Sequence, residues 1–369
     1  MFAPDDFLPR PVSAPWALSD DQRNMYTASR RFARDRLEPL FAGPPSVTVW
    51  QETIRLAAAT LDLGTMVLPE KSGGIAIDRH DLVLVAEALA AGPIERAIEL
   101  TLTAPALMTL RAHDALDPVL AQPVQAYFDG TTAIALCVPE FESATVWQLG
   151  PLEGVAAFTM LIDGEERLIV AKRARDRQSS RSIRIATLGG LVLERLHFDA
   201  AEAGTPLATI AQPNCDGIPP AQTCMTDAGL YLSALLIGSM QHSVQFAFDY
   251  AATRHAFRKP LASHQLVATR LSNMLIATHG AHLFVQSVAT AHQYAPVSLV
   301  RQLIRHVASE SLNVSRDLVQ LCGGHGYVEG LPPASRFQTI HWLACLLLRI
   351  DAALEWLTEP HPKNAEVDA

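Results

Sequence analysis

The chain has 369 residues, is 49% hydrophobic and carries a formal net charge of −9. This length allows about two or three domains, and the acidic balance excludes the basic surface that nucleic-acid binding requires. No apolar run is long enough for a membrane span, the acidic N-terminus lacks the basic start of a secretory signal, and the five scattered cysteines suit a reducing compartment, so a cytoplasmic protein is expected.

Helical patterns fill the first third of the chain. Ser19-Asp20-Asp21-Gln22 has the form of a capping box, in which Ser19 caps a helix and Gln22 reaches back to it. Further helical patterns lie near 49–61, 81–91, 98–112 and 118–128. A loop rich in proline and glycine interrupts them at 68–74. These patterns predict an all-helical domain over residues 1–128.

The pattern changes from helical to β-prone at Asp129-Gly130. Short segments rich in β-branched and aromatic residues follow, split by clusters of Gly, Asp and Arg. They lie at 131–138, 156–162, 168–171, 183–186 and 192–198. A middle β domain over residues 129–218 is therefore predicted, closed by the turn-forming run 216–220.

Four long helical patterns make up the rest of the chain, at 230–252, 266–275, 300–319 and 339–357. The last is apolar on more than one face and is expected to be mostly buried. We predict an antiparallel four-helix bundle over residues 219–369, with a disordered tail after Pro360. The predicted fold class is α+β: an N-terminal all-helical domain, a small middle β domain and a C-terminal four-helix bundle.

Two stretches of the bundle carry the candidate chemistry, Arg254 to Pro260 and Gln320 to Tyr327. Arg254 offers a planar guanidinium that suits a phosphate. The glycines of the second stretch allow positive φ angles and close approach of a backbone to a ligand. Together they predict a site for a cofactor with a diphosphate. The plainer alternatives are a solvated arginine at a helix end and glycines that only terminate a helix.

The motifs of this chain resemble those of the acyl-CoA dehydrogenase family, whose bundle carries R-x-x-F-G-x-P, a following F/H-Q, and Q-x-x-G-G-x-G-Y. The matching residues here are Arg254, Phe257, Pro260, Gln265, Gln320, Gly323, Gly324, Gly326 and Tyr327. The runs at 18–22 and 69–74 are similar to the family's L-T-E-E-Q opening and its V-P-E-x-x-G-G loop. The resemblance covers nearly the whole chain, and its architecture implies the acyl-CoA dehydrogenase fold.

In that family the bundle motifs hold FAD across a subunit boundary. The resemblance implies that Arg254 contacts the FAD pyrophosphate, and that Gln265 and the turn from Gln320 to Gly324 line the ADP half. Phe257 is included among the cofactor-binding residues. The resemblance also implies an acyl-CoA substrate and an electron acceptor such as electron-transfer flavoprotein.

The sequence departs from the family pattern where the chemistry would be done. Counting from Tyr327 at the family's spacing, the position of the catalytic glutamate holds Leu347. The flavin-facing loop S/T-E-P-x-x-G-S-D is here the run 138–144, and no W-I-T-N segment follows. Arg258 replaces the glycine of R-x-x-F-G-x-P, and Gln338-Thr339 replaces an Arg-Asp pair.

With these departures the chain resembles the degenerate subunit of the heterotetrameric α2β2 acyl-CoA dehydrogenases that act in bacterial steroid side-chain degradation. The edge of this chain's bundle would then bind FAD, while a homologous partner supplies the catalytic glutamate. Two alternatives stay open. One is a homotetrameric enzyme with a displaced base such as Glu355 or Asp249, although Asp249 is more simply interpreted as a partner of a neighbouring arginine. The other is a scaffold that binds neither FAD nor substrate.

Two histidine and cysteine pairs have spacing that zinc could use, Cys322-x-x-His325 and His341-x-x-x-Cys345. The first pair lies inside the expected cofactor turn, and the second lies on a helix expected to be buried. No metal site is therefore predicted.

Overall fold

The computed structural model describes residues 18–117, 132–143, 145–151, 156–163, 166–172, 183–197, 206–291, 295–328 and 330–359. Helices come first, a seven-stranded sheet follows, and four long helices close the described chain. The expected α+β architecture is confirmed. The helical pattern at 118–128, the change of pattern at 129–130 and the tail after Pro360 lie outside the described residues, and the domain boundaries stay a prediction.

The N-terminal helices follow local sequence signals closely. They are α1 Asp20–Phe32, α2 Val47–Leu61, α3 Arg79–Leu89, α4 Ile94–Thr101 and α5 Ala104–Ala112. In the capping box of α1 the backbone N–H of Gln22 donates to Ser19 Oγ at 3.1 Å. In return, the backbone N–H of Ser19 donates to Gln22 Oε1 at 3.1 Å. The single helix expected over 98–112 is split in two, with Pro105 in the first turn of α5. Proline is tolerated there, whereas it would disrupt the interior of one continuous helix.

The sheet has the strand order β5-β6-β2-β1-β3-β4-β7. Its strands are β1 Thr132–Glu140, β2 Thr145–Pro151, β3 Ala156–Ile162, β4 Leu168–Lys172, β5 Ile183–Leu188, β6 Leu191–His197 and β7 Pro206–Ile210. Only the β1–β3 pair is parallel among the described pairings. Strands β2 and β7 were not predicted. The first ends in Gly150-Pro151 and the second begins with a proline at the edge of the sheet, where a missing N–H is tolerated.

The bundle consists of α6 Pro220–Thr253, α7 Gln265–Ala289, α8 Val297–Cys322 and α9 Pro332–Thr358. Helix α6 has 34 residues and is buried on nearly every face along its first two thirds. It packs against α3 and α5 as well as the other bundle helices, so it forms the axis of the core. Within the described residues no helix combines the length and the apolar character needed to cross a bilayer.

Helices α3 and α6 cross in close contact at Gly238. A Cβ atom at this position would lie 2.2 Å from the backbone oxygen of Glu87. The Glu87 side chain is wholly buried, and both its oxygens lie 3.1 Å from His282 Nδ1 on α7. Burial lowers the pKa of His282, but the Glu87 carboxylate outweighs this effect and raises the pKa above its ordinary value. One glycine therefore sets the distance between two helices, and an ion pair joins a third to them.

We expect Gly238→Ala to lower the free energy of unfolding by about 3 kcal/mol, because the added methyl group cannot be placed without separating α3 from α6. Gly280→Ala is the matched control, since Gly280 lies inside α7 and its Cβ would meet nothing within 4 Å. That variant should gain about 0.5–1 kcal/mol from helix propensity. Urea denaturation of the isolated chain measures both. Equal effects of the two substitutions would contradict the close crossing.

Candidate functional site

Tyr250, in the last turns of α6, joins the two motif stretches. Its hydroxyl donates to the backbone oxygen of Cys322 at 3.2 Å and lies 2.9 Å from His325 Nδ1. The Tyr250 ring also meets the His325 ring edge-on, with centroids 6.1 Å apart. Arg254 follows Tyr250 by one helical turn, and its N–H donates to the Tyr250 carbonyl at 2.8 Å. The end of α6 and the glycine-rich turn after α8 are therefore adjacent.

The first motif stretch folds as a two-residue hairpin after Arg254. Strands β8 His255–Ala256 and β9 Lys259–Pro260 pair antiparallel. Phe257 and Arg258 form the turn with φ angles of 51° and 65°. Positive φ at both positions is the geometry of a type I′ turn, which favours Asn-Gly. Phe257 is 90% exposed, so its side chain projects from the tip.

The hairpin is held against the start of α7. His264 Nε2 lies 3.2 Å from the backbone oxygen of Ala256, and the His264 ring lies edge-on to Phe257 at 6.1 Å. Gln265 is the first residue of α7 and is exposed. Gln320, in the last turn of α8, is exposed as well. The side chains predicted to bind a cofactor therefore lie at one end of the bundle.

The glycines of the second stretch have different roles. Gly323 ends α8 with φ 57° and ψ −131°, a conformation that side chains disfavour. A Cβ at Gly323 or Gly324 would meet nothing within 4 Å, so the backbone there faces open space. A Cβ at Gly326 would lie 2.4 Å from the Val319 oxygen, so this glycine serves packing. One turn therefore terminates α8 and also leaves its backbone open at Gly323 and Gly324.

Three exposed cations, Arg254, Arg258 and Lys259, flank this end. None of them forms a salt bridge with a carboxylate in the described part of the chain. An open glycine backbone beside unpaired guanidinium groups has the donor set that an anionic diphosphate requires. The arrangement fits the ADP half of a dinucleotide cofactor.

Leu347, which counting from Tyr327 predicts at the position of a catalytic glutamate, is wholly buried in the middle of the uninterrupted helix α9. The next carboxylates along α9 are engaged with α8. Asp351 accepts from Arg301 Nε at 2.9 Å and from Arg305 Nε at 2.7 Å, and Glu355 lies 2.6 Å from Arg301 Nη2. Both acids therefore hold two helices together.

Asp249 differs from its interpretation as the partner of a neighbouring arginine. Its two oxygens accept from the Gln245 amide, each at 3.1 Å, one turn back on α6. Asp249 is exposed, and no arginine pairs with it among the described residues. An amide at the (i, i+4) position reaches it on the same helix face.

The run that corresponds to the flavin-facing loop is tied to α9 instead. Phe141 stacks on Trp356 with ring centroids 3.7 Å apart and an interplanar angle of 12°. Glu140 accepts from Trp147 Nε1 at 2.8 Å and from Arg195 Nη2 at 2.6 Å, and it lies 3.2 Å from Arg349 Nη1. The end of β1 is thereby fixed to β2, β6 and α9.

Burial raises the pKa of Glu140, but hydrogen bonds from Thr145, Trp147 and Arg195 outweigh it and lower the pKa to about 2. The sequence did not reveal this cluster, because its members lie on three strands and a helix that are far apart along the chain. An acid followed by an aromatic residue at a strand end was the only local signal.

The interior offers little room where α5, α6 and β1 meet. The cavity there, beside Leu102, Ile134 and Ala228, has a volume of about 10 Å³, hardly enough for one water molecule. A larger cavity of about 410 Å³ lies between α2, α4, α5 and the turn at 189–191. None of the residues predicted to bind a cofactor lines it.

The histidine and cysteine pairs are used in packing and hydrogen bonding. The backbone of Cys322 and the ring of His325 contact Tyr250, and His341 lies beside Trp342. Among the described residues, no three His, Cys, Asp or Glu side chains come together in a group that could hold a metal ion.

Comparison with known proteins relates this chain to one family. Residues 216–346 match the family model for the acyl-CoA dehydrogenase C-terminal domain. The chain is 27% identical over 142 residues to an acyl-CoA dehydrogenase of Bacillus subtilis, which covers 37% of this chain and 36% of that protein. It is 24% identical over 362 residues to 3-sulfinopropanoyl-CoA desulfinase of Paraburkholderia xenovorans, covering 85% and 89%. The match to the Bacillus relative thus spans about a third of its length.

Solved structures show the same fold. Butyryl-CoA dehydrogenase from Megasphaera elsdenii superposes with a TM-score of 0.66 at 18% identity, over 93% of this chain and 100% of that one. A glutaryl-CoA dehydrogenase from Mycobacterium smegmatis in complex with FADH2 gives 0.64 at 18% identity, over 91% and 95%. The fold is that of acyl-CoA dehydrogenases, and the match to the family model lies in the C-terminal part of the chain.

We expect Glu140→Gln to lower the free energy of unfolding at neutral pH by about 3 kcal/mol, because bonds to a charged acceptor are lost. The native carboxyl has its pKa lowered from 4.5 to about 2. Its contribution is therefore present above pH 4.5 and disappears as the pH falls towards 2. The difference between wild type and variant should shrink over this window in urea denaturation.

Glu142→Gln is the control for Glu140→Gln, because Glu142 is an exposed carboxylate only two residues further along the chain. It should change stability by less than about 0.5 kcal/mol. A difference between wild type and Glu140→Gln that persists unchanged to pH 2 would contradict the assignment of Glu140 as the buried acceptor.

Proposed function

We propose that this chain is a subunit of an FAD-dependent acyl-CoA dehydrogenase complex, in which it supplies the edge that binds the ADP and pyrophosphate half of FAD. A homologous partner supplies the catalytic glutamate in an α2β2 assembly. One observation carries the proposal: the end of the bundle with the cofactor motifs is open and cationic, while the positions for base and flavin ring are filled.

The open edge fits the role assigned to it. Arg254 would hold the diphosphate, Gln265 and Gln320 would contact the ADP half, and the backbone at Gly323 and Gly324 can approach it without a Cβ in the way. Phe257 projects from the hairpin tip, where an aromatic face can cover a cofactor. These residues would bind the cofactor and orient it. The FAD supplies the hydride acceptor for α,β-desaturation.

The filled positions support the need for a partner. Abstraction of a Cα proton requires a base within hydrogen-bond reach. The side chain of Leu347 has no basic group and cannot act in this way. The Phe141–Trp356 stack and the Glu140 cluster occupy the strand end that would face the flavin ring. The substrate, a bulky acyl-CoA such as a steroid side-chain thioester, would therefore react at the partner's centre. Electron-transfer flavoprotein would be the class of acceptor.

Exposed apolar side chains mark the surface for such a partner. On α7, Leu266 is 86% exposed and Ile276 is 69% exposed, and on α9 Phe337 and Leu348 are exposed as well. Leu271 and Met274, also on α7, are instead buried within the bundle. Apolar surface concentrated on two helices is typical of subunit interfaces.

Expressed alone, the chain should hold little FAD and should not desaturate any acyl-CoA, whereas co-expression with its homologous partner should give a flavin-loaded, active complex. Flavin absorbance after gel filtration and an acyl-CoA desaturation assay measure both. A flavin-loaded, active assembly of this chain by itself would overturn the proposed division. Absence of flavin even with the partner would favour the scaffold.

Arg254→Ala should weaken FAD binding by the complex about ten- to a hundredfold, because a charge-assisted contact contributes roughly 1.5–3 kcal/mol. Arg254→Lys should recover only part, since an ammonium group cannot reproduce the fork. Arg34→Ala, an exposed arginine paired with Asp35 on the N-terminal helices, is the control and should leave binding unchanged. Titration of each deflavinated complex with FAD measures these affinities. Equal affinities for all three variants would mean that the motif no longer serves a cofactor.

A further inference from the structure

The tip of the β8–β9 hairpin has an unfavourable backbone conformation. Phe257 and Arg258 both lie in the left-handed region, at φ 51° and 65°. Side chains with a Cβ atom are disfavoured in this conformation, whereas glycine adopts it readily. Glycine is the usual second residue of such a turn, and asparagine would also tolerate it. An arginine at this position therefore lowers stability, and a gain elsewhere is needed to explain it.

Packing within the chain provides no such gain. Arg258 is exposed, and within the described residues it forms no hydrogen bond, salt bridge or ring contact. Its neighbours Arg254 and Lys259 are exposed and have no carboxylate partner in the described part of the chain either. Yet the whole chain has 38 acidic and 29 basic residues. Unpaired cations concentrated in one hairpin of an acidic protein indicate an external anion.

The two arginines stand at opposite ends of this hairpin. Arg254 opens it, where its carbonyl accepts from the Leu261 N–H at 2.8 Å, and Arg258 closes it at the turn. With about 3.3 Å per residue, the two Cα atoms are separated by roughly 10 Å along the ribbon. Two long side chains can converge on one group from these ends.

We propose that Arg258 is a second phosphate contact for the dinucleotide, which binds the diphosphate together with Arg254. This inference rests on the proposed function, because it places the ADP half of FAD at this edge. A guanidinium binds a phosphate through two parallel N–H···O bonds, so a second arginine adds both charge and orientation. The strained turn directs the additional cation to the cofactor.

The test compares Arg258→Gly and Arg258→Lys with Ala76→Gly. Ala76 is also an exposed residue with positive φ, 53°, but it lies far from the hairpin in sequence and has no charge. Both glycine variants should raise the melting temperature by a few degrees through relief of strain. Only Arg258→Gly should weaken FAD binding by the deflavinated complex, by about tenfold. Arg258→Lys should retain part of the affinity.

Titration with ADP and adenosine identifies the contacted group. Loss of affinity of Arg258→Gly for ADP with unchanged affinity for adenosine supports a phosphate contact. Equal losses for ADP and adenosine overturn it in favour of stacking on the base. A raised melting temperature with unchanged FAD affinity also overturns it, and if Arg254→Ala still weakens binding, the proposed function stands without Arg258. If neither arginine matters, the proposed function fails as well.

Discussion

The carboxylate of Glu140 is the contact on which the relation between sheet and bundle depends. It receives side-chain donors from β2, β6 and α9, so one charge joins three elements that are distant in sequence. Arg349 takes part twice, because its guanidinium also lies 5.3 Å from the Trp147 ring centroid. Charge-assisted bonds of this kind are the strong ones. With these donors around it, Glu140 holds the end of β1 against α9.

Helix α6 carries this rigidity to the other end of the bundle. Its first two thirds are core, fixed by the close crossing at Gly238 and by the Glu87–His282 pair nearby. Its last turns emerge from the core and present Tyr250, which holds the turn after α8. The exposed residues of the two motif stretches are therefore positioned by buried ones. Flexible side chains such as Arg254 can serve a cofactor because the backbone that carries them is anchored.

Local signals in the sequence predicted what depends on local physics. The capping box at Ser19, the helix stop at Gly323 and the four long helices follow from nearest-neighbour preferences and periodicity. Strands β2 and β7 were not predicted, because glycine and proline obscure the alternation of apolar and polar residues in short strands. The partners of Glu140 and Asp249 could not be predicted either, since pairing is decided by tertiary packing. The motif order predicted the fold and a set of site residues that stays a prediction, but only the structure separated the packing role of Gly326 from the open backbone at Gly324.

The proposed asymmetry between an open edge for a cofactor and a filled position for the base has an energetic basis. Exposed arginines and glutamines cost little in water, so the edge can persist without strain beyond the hairpin tip. A base at position 347 would require a solvated or paired carboxylate, whereas Leu347 sits in a helix interior with Leu346 and Ile350, all wholly buried. Burying an unpaired carboxylate costs several kcal/mol. A carboxylate at position 347 would therefore be unfavourable in this packing, and under the proposed function the chain contributes to catalysis at its edge, through what it binds for a partner.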